Sequence, residues 1–129
     1  MTAFSVPFLR ALCREIQAAA PDSFWAATDS ELARAYNGIG ADHWPDTLRA
    51  VVTALLRSFQ AAAFVHDWEY SLPEKSYRAF TAANLRLAAN TAREALYDCR
   101  LSIVPAGIAA ALLCQIFGYA AYRRGRLRP

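Results

Sequence analysis

The chain has 129 residues, 56% of them apolar and 19% charged, with a net charge of +3. That length suggests a single domain over residues 1–129 with one core, and the apolar content excludes a disordered chain. Thirteen of the fourteen basic residues are Arg, Lys75 being the exception. They are spread along the chain, which excludes the dense basic patch of a nucleic-acid binder.

The apolar spacing in "FLRALCREIQAAAP", at Phe8, Leu12, Ile16 and Ala19, predicts a helix stopped by Pro21. "TDSELARAY" opens with Thr28 and places Glu31 three residues on, a capping-box pattern. This helix is expected to reach about Tyr36 and to end at a left-handed Gly38. Residues 37–46 read as loop, with Asp46 capping a helix whose face is Leu48, Val51, Val52, Leu55 and Leu56. "QAAAFVHDWEY" is another helix, continuous with it or broken near Ser58. After the turn "SLPE", Pro73 is expected near the first position of a long helix. That helix aligns Phe80, Ala83, Leu87, Asn90, Glu94 and Tyr97 along one face. Nothing reads as a strand, so the fold class is all-α. Two antiparallel helices, about 59–71 and 76–97, form its centre.

Residues 103–122 are nearly all apolar and long enough to span a bilayer. Pro105, Gly107 and Gln115 interrupt them, which favours a buried helix. The tail "YRRGRLRP" is a basic run, suited to a solvated end or to contact with anionic lipid. Cys13, Cys99 and Cys114 make neither a metal-ligand spacing nor a disulfide framework, which points to a reducing compartment. Pro7 and Arg10 break the only candidate signal peptide.

Two stretches carry chemistry. "HDWEYS" places His66 beside Asp67, about 100° apart on a helix, so the pair serves two neighbouring sites rather than one hydrogen bond. Tyr70, four residues on, shares the face of His66. Taken alone, the dipeptide reads first as a half-buried His beside a surface Asp. In "YNGIG", residues 36–40, alternate glycines let the backbone turn carbonyls inward, as an oxygen-loving cation requires. Alone, this loop reads first as a helix cap followed by a turn. His43, the only other His, completes no zinc site. Trp25, Trp44 and Trp68 read as core or rim.

Together these stretches resemble the secreted phospholipase A2 superfamily, whose calcium loop reads Tyr-x-Gly-x-Gly and whose catalytic helix carries His-Asp-x-x-Tyr. The closer likeness is to its compact, disulfide-free branch, which includes the parvovirus capsid lipase domain and small bacterial and phage proteins. There a second helix carries Ala-Asp-x-x-Leu/Phe, and this chain has Ala83-Asn84-Leu85-Arg86-Leu87. The likeness covers roughly residues 35–97. It implies that the carbonyls of Tyr36, Gly38 and Gly40, with the Asp67 carboxylate, hold Ca²⁺. It implies that His66 is the general base that activates water against the 2-acyl ester of a glycerophospholipid. Tyr70 would support the second-helix residue that orients His66. The implied partner is a phospholipid or membrane surface, and the implied setting is a bacterial cytoplasm or a phage particle.

Two departures stand out. His66 follows Gly40 by 26 residues, longer than in the animal enzymes, so a helical stretch over residues 47–57 must pack beside the site. Asn84 replaces the family Asp. An amide oxygen can accept the imidazole N–H, but it cannot stabilise the imidazolium. In serine proteases that exchange costs about 10⁴ in turnover. Two other classes therefore stay open: a non-catalytic protein of phage or prophage on the same scaffold, and a membrane-anchored protein spanning at 103–122.

Overall fold

The computed structural model describes residues 5–36 and 46–124, which are helical with no strand among them. Eight α-helices follow in order: α1 Val6–Glu15, α2 Asp22–Ala26, α3 Asp29–Ala35, α4 Asp46–Leu56, α5 Gln60–Ser71, α6 Tyr77–Tyr97, α7 Val104–Phe117 and α8 Tyr119–Arg124. A 3₁₀ turn, Leu101–Ile103, precedes α7.

Local chemistry explains most boundaries. Ser5 caps α1, and Ser76 caps α6 by accepting the Ala79 N–H at 3.1 Å. Thr28 and Glu31 form the expected reciprocal capping box of α3. The helix nonetheless stops at Ala35, with Tyr36 in extended conformation; Gly38 lies outside the described residues. Helices α4 and α5 are separate, broken at Arg57–Ser58. Pro73 does not begin α6: Ser76 provides the cap three residues later, and Pro73 stays in the turn. Gly118 ends α7, so the apolar run 103–122 is two helices and a 3₁₀ turn. No described helix is long and apolar enough to cross a membrane.

The centre of the fold is α5. One apolar cluster packs Leu9, Cys13, Phe24 and Leu32 against Ala61, Phe64, Val65 and Trp68. A second joins Val52, Leu56 and Phe59 to Ala62, Leu87, Ala110 and Cys114. Because α5 lies between them, ten of its twelve residues are buried. The run Ala61-Ala62-Ala63 permits this, since methyl side chains let neighbours approach from several sides.

Contacts fix the directions. Ala62 meets Glu94 while Tyr70 meets Asn84, so α5 and α6 are antiparallel. Thr91 meets Gly107 while Asn84 meets Gln115, so α6 and α7 are antiparallel too. Asn90 clamps the α1–α2 connection, accepting the Ala19 N–H at 2.7 Å and donating to the Ala19 carbonyl at 2.8 Å.

The α6–α7 crossing is tight at Gly107. A Cβ there would sit 2.3 Å from Thr91 Oγ1 and 2.4 Å from Thr91 Cβ. Thr91 is fully buried and holds the Ala88 carbonyl, so it cannot swing aside. Gly107→Ala gains about 1 kcal/mol in helix propensity but overpacks the crossing at a cost of about 3 kcal/mol. A net loss of about 2 kcal/mol in denaturant unfolding is expected; an unchanged midpoint would show that the helices separate freely.

Candidate active site

His66 lies on the α6 side of α5 and is 7% exposed. Burial drives its pKa down to about 4, while the backbone of Ala83 on α6 pushes weakly the other way. The imidazole is therefore neutral across the physiological range, which is the state a proton acceptor needs. Among the described residues neither ring nitrogen makes a hydrogen bond of normal geometry. Such orphaned buried groups are uncommon and mark sites of function or strain.

The Tyr70 ring lies beside the imidazole, tilted 45° to it, with centroids 4.1 Å apart. Its hydroxyl donates to Asn84 Oδ1 at 2.9 Å. Asn84 Nδ2 donates to Gln115 Oε1 on α7 at 2.7 Å, and Gln115 Nε2 reaches Tyr77 and Thr81 hydroxyls at 3.2 and 3.1 Å. Asn84 thus meets Tyr70, not His66. The phenol, one helical turn beyond the imidazole and longer, occupies the amide oxygen. That oxygen keeps one lone pair for a second donor.

Asp67 is half-buried and turns away from His66, as adjacent helix positions require. After burial, its carboxylate is the next cause that raises the Tyr36 phenol and the Cys114 thiol, the latter to about 12. Tyr36 docks on the same helix: its ring meets Phe64 edge-on at 5.2 Å, and its hydroxyl donates to Gln60 Oε1 at 2.8 Å. The entry to the 36–40 loop is therefore anchored on the helix that carries Asp67. Gly38, Gly40, His43 and Trp44 lie outside the described residues. Trp68 is core, its indole N–H donating to Ser23 at 3.1 Å, and Trp25 is half-buried.

A calcium ion takes six to eight oxygens. Among the described residues no three His, Cys, Asp or Glu side chains converge on one point. Asp67 and the Tyr36 carbonyl are the donors these residues offer to the expected set, and both are hard oxygens. Any further carbonyl would come from residues 37–45.

Three polar groups escaped the sequence reading. Gln115 fixes the Asn84 amide; its only signal was a lone amide in an apolar run. Glu94 accepts the N–H groups of Ala61 and Ala62 at 3.3 and 3.0 Å, capping α5 from another helix. Glu69, a helical turn beyond His66, pairs with Arg86 through both oxygens at 3.1–3.2 Å. Comparison of the chain with protein-family models, with curated proteins and with solved structures returns no match.

Proposed function

We propose that the protein is a phospholipase A2-like, Ca²⁺-dependent esterase acting on the 2-acyl bond of glycerophospholipids, with His66 as base. The observation that carries this reading is the Tyr70–Asn84 hydrogen bond beside an imidazole whose nitrogens find no hydrogen-bond partner among the described residues. It joins the helix bearing His-Asp-x-x-Tyr to the helix bearing Ala-Asn-x-x-Leu. In this reading a neutral His66 takes a proton from water, and that water adds to the ester carbonyl. The free lone pair of Asn84 Oδ1, which His66 does not meet in this structure, would receive the opposite imidazole N–H once the ring turned toward it, and would hold one tautomer. Tyr70 and Gln115 keep the amide turned toward α5. Asp67, with the carbonyls of Tyr36, Gly38 and Gly40, would hold Ca²⁺. When bound, the ion would supply positive charge for the oxyanion.

The burial of His66 favours a second reading, a non-catalytic protein that keeps the scaffold for binding or assembly. Hydrolysis of a phospholipid labelled on its 2-acyl chain separates the two. Release of the labelled acid in Ca²⁺, absent in chelator and reduced about 10²–10⁴-fold in His66→Ala, is the expected result. No release by the wild-type chain, or equal release by His66→Ala, would sink the catalytic reading.

A further inference from the structure

A hollow of about 510 Å³ opens between α1, the start of α5 and the end of α6. That volume suits a small molecule. Phe8 and Leu12 of α1 and Tyr97 of α6 give it apolar and aromatic sides. Its floor holds two buried polar residues, Gln60 and Glu94. The Gln60 amide is engaged at both ends: Nε2 donates to the Arg57 carbonyl at 3.0 Å, and Oε1 accepts from the Tyr36 hydroxyl at 2.8 Å. Glu94 has capacity left. Its oxygens accept the N–H groups of Ala61 and Ala62, with a further contribution from that of Gln60, out of about four acceptor positions on a carboxylate. The way α5 is capped points the same way. Neutral hydroxyls of Ser5, Thr28 and Ser76 cap α1, α3 and α6. Helix α5 has Phe59 at that position and takes a carboxyl from α6 instead. A neutral oxygen would complete the cap, so the negative charge is surplus to it.

Charge selects the guest. Among the described residues no basic side chain forms an ion pair with Glu94, and the one charge that acts on it, Asp98, is of like sign. At the mouth, Arg57 and Arg100 face Glu15 and Asp98, all four exposed. These solvated charges balance, so the unbalanced charge is the one at the floor. The rings of Phe8 and Tyr97 also favour a cation, since an aromatic face attracts positive charge. A metal ion is a poor fit, because no three His, Cys, Asp or Glu side chains converge among the described residues. An organic ammonium matches both features: N–H donors for the carboxylate and an apolar body for the side walls. Glu94 lies ten residues beyond Asn84 on α6, about 15 Å along its axis, so the hollow is separate from the His66 site.

We propose that this hollow binds a small primary amine with an apolar body, its ammonium held on Glu94 beside the rings of Phe8 and Tyr97. The site stands on the hollow alone and depends neither on hydrolysis nor on Ca²⁺. The test is an NMR titration of the full chain with phenethylammonium chloride, read at the Ala61 and Ala62 amides because both rest on Glu94. A saturable shift with a dissociation constant of about 1 mM or below is expected. Phenethyl alcohol and hydrocinnamate, neutral and anionic guests of similar shape, should bind at least about tenfold more weakly. Tyr97→Leu keeps a good helix former at an exposed position. It should weaken amine binding about threefold with thermal unfolding unchanged. Glu94→Gln should erase the preference for the amine over the alcohol. The wild-type comparison of the three guests decides even where Glu94→Gln does not fold. The proposal is overturned if the alcohol binds as tightly as the amine, or if neither amide shifts at about 10 mM amine. It is also overturned if hydrocinnamate binds more tightly, which would make Arg57 and Arg100 the determinants, or if either variant binds as the wild type does.

Discussion

Glu94→Ala is expected to destabilise the protein by several kcal/mol, and more at pH 5 than at pH 8. Its carboxylate is 3% exposed and caps the first turn of α5, the helix on which both apolar clusters rest. Removing it leaves two buried N–H groups unsatisfied, at about 1–3 kcal/mol each. The pH dependence follows from burial, which raises the Glu94 pKa to about 7 although the N–H bonds from Ala62 and Ala61 oppose the shift. A carboxyl raised in the folded state contributes stability that is full below its unfolded pKa near 4.5 and is lost as pH rises through 7. That contribution amounts to roughly 3 kcal/mol. Glu69 is raised to about 7 by burial, although the Arg86 charge and hydrogen bond oppose the shift, and has the same sign. His66, lowered to about 4, has the opposite sign: its contribution is full above 6.5 and lost as pH falls through 4. Between 4.5 and 6.5 two carboxyls oppose one imidazole, so unfolding free energy should fall as pH rises through that window and peak near pH 4. Denaturant titrations of wild type and Glu94→Ala at pH 5 and 8 check this. An equal loss at both values would show that Glu94 stays ionised throughout.

Asn84→Asp is expected to fold and to raise hydrolysis by at least about tenfold, since a carboxylate stabilises the imidazolium that an amide cannot. The surrounding network can accept the exchange. Tyr70 already donates to Oδ1. Gln115 now offers its Oε1 to Asn84, and its Nε2 faces the Tyr77 and Thr81 hydroxyls. If Gln115 turns over, its Nε2 donates to the new carboxylate and the two hydroxyls donate to its Oε1. A chain that ends in hydroxyls reverses without orphaning a group. Turnover unchanged in Asn84→Asp but lost in His66→Ala would mean that another group orients the imidazole. Gln115→Leu should cancel the gain, because it removes the donor that the reversed network requires.

The parts of this fold that were legible in the sequence are those set by neighbours in the chain. Thr28 and Glu31 announce α3 because a capping box closes over three residues, and the apolar period of α6 announces Phe80, Ala83 and Leu87 as core. Contacts across the fold were not legible. Nothing near Ala61 reveals that Glu94, more than thirty residues on, caps its helix. Tyr97 shares the period of the buried face yet is 52% exposed, because it lines an open hollow that Phe8, Leu12 and Arg57 also border. Helix α2 was missed because five residues carry too little periodicity. The run 103–122 read as one buried helix because composition does not tell which side of a helix faces inward. At the candidate site, His66, Asp67 and Tyr70 could be placed on helix faces by spacing alone. The deep burial of His66 could not, since it depends on α5 lying between two clusters.

The most direct test of the central claim is a crystal structure determined in Ca²⁺. A cation bound by Asp67 and the carbonyls of Tyr36, Gly38 and Gly40 at about 2.3–2.6 Å is expected, with His66 beside it and Asn84 still joined to Tyr70. A Ca²⁺-soaked structure with no cation at Asp67, or with His66 sealed from it by side chains, would rule out the calcium-assisted site.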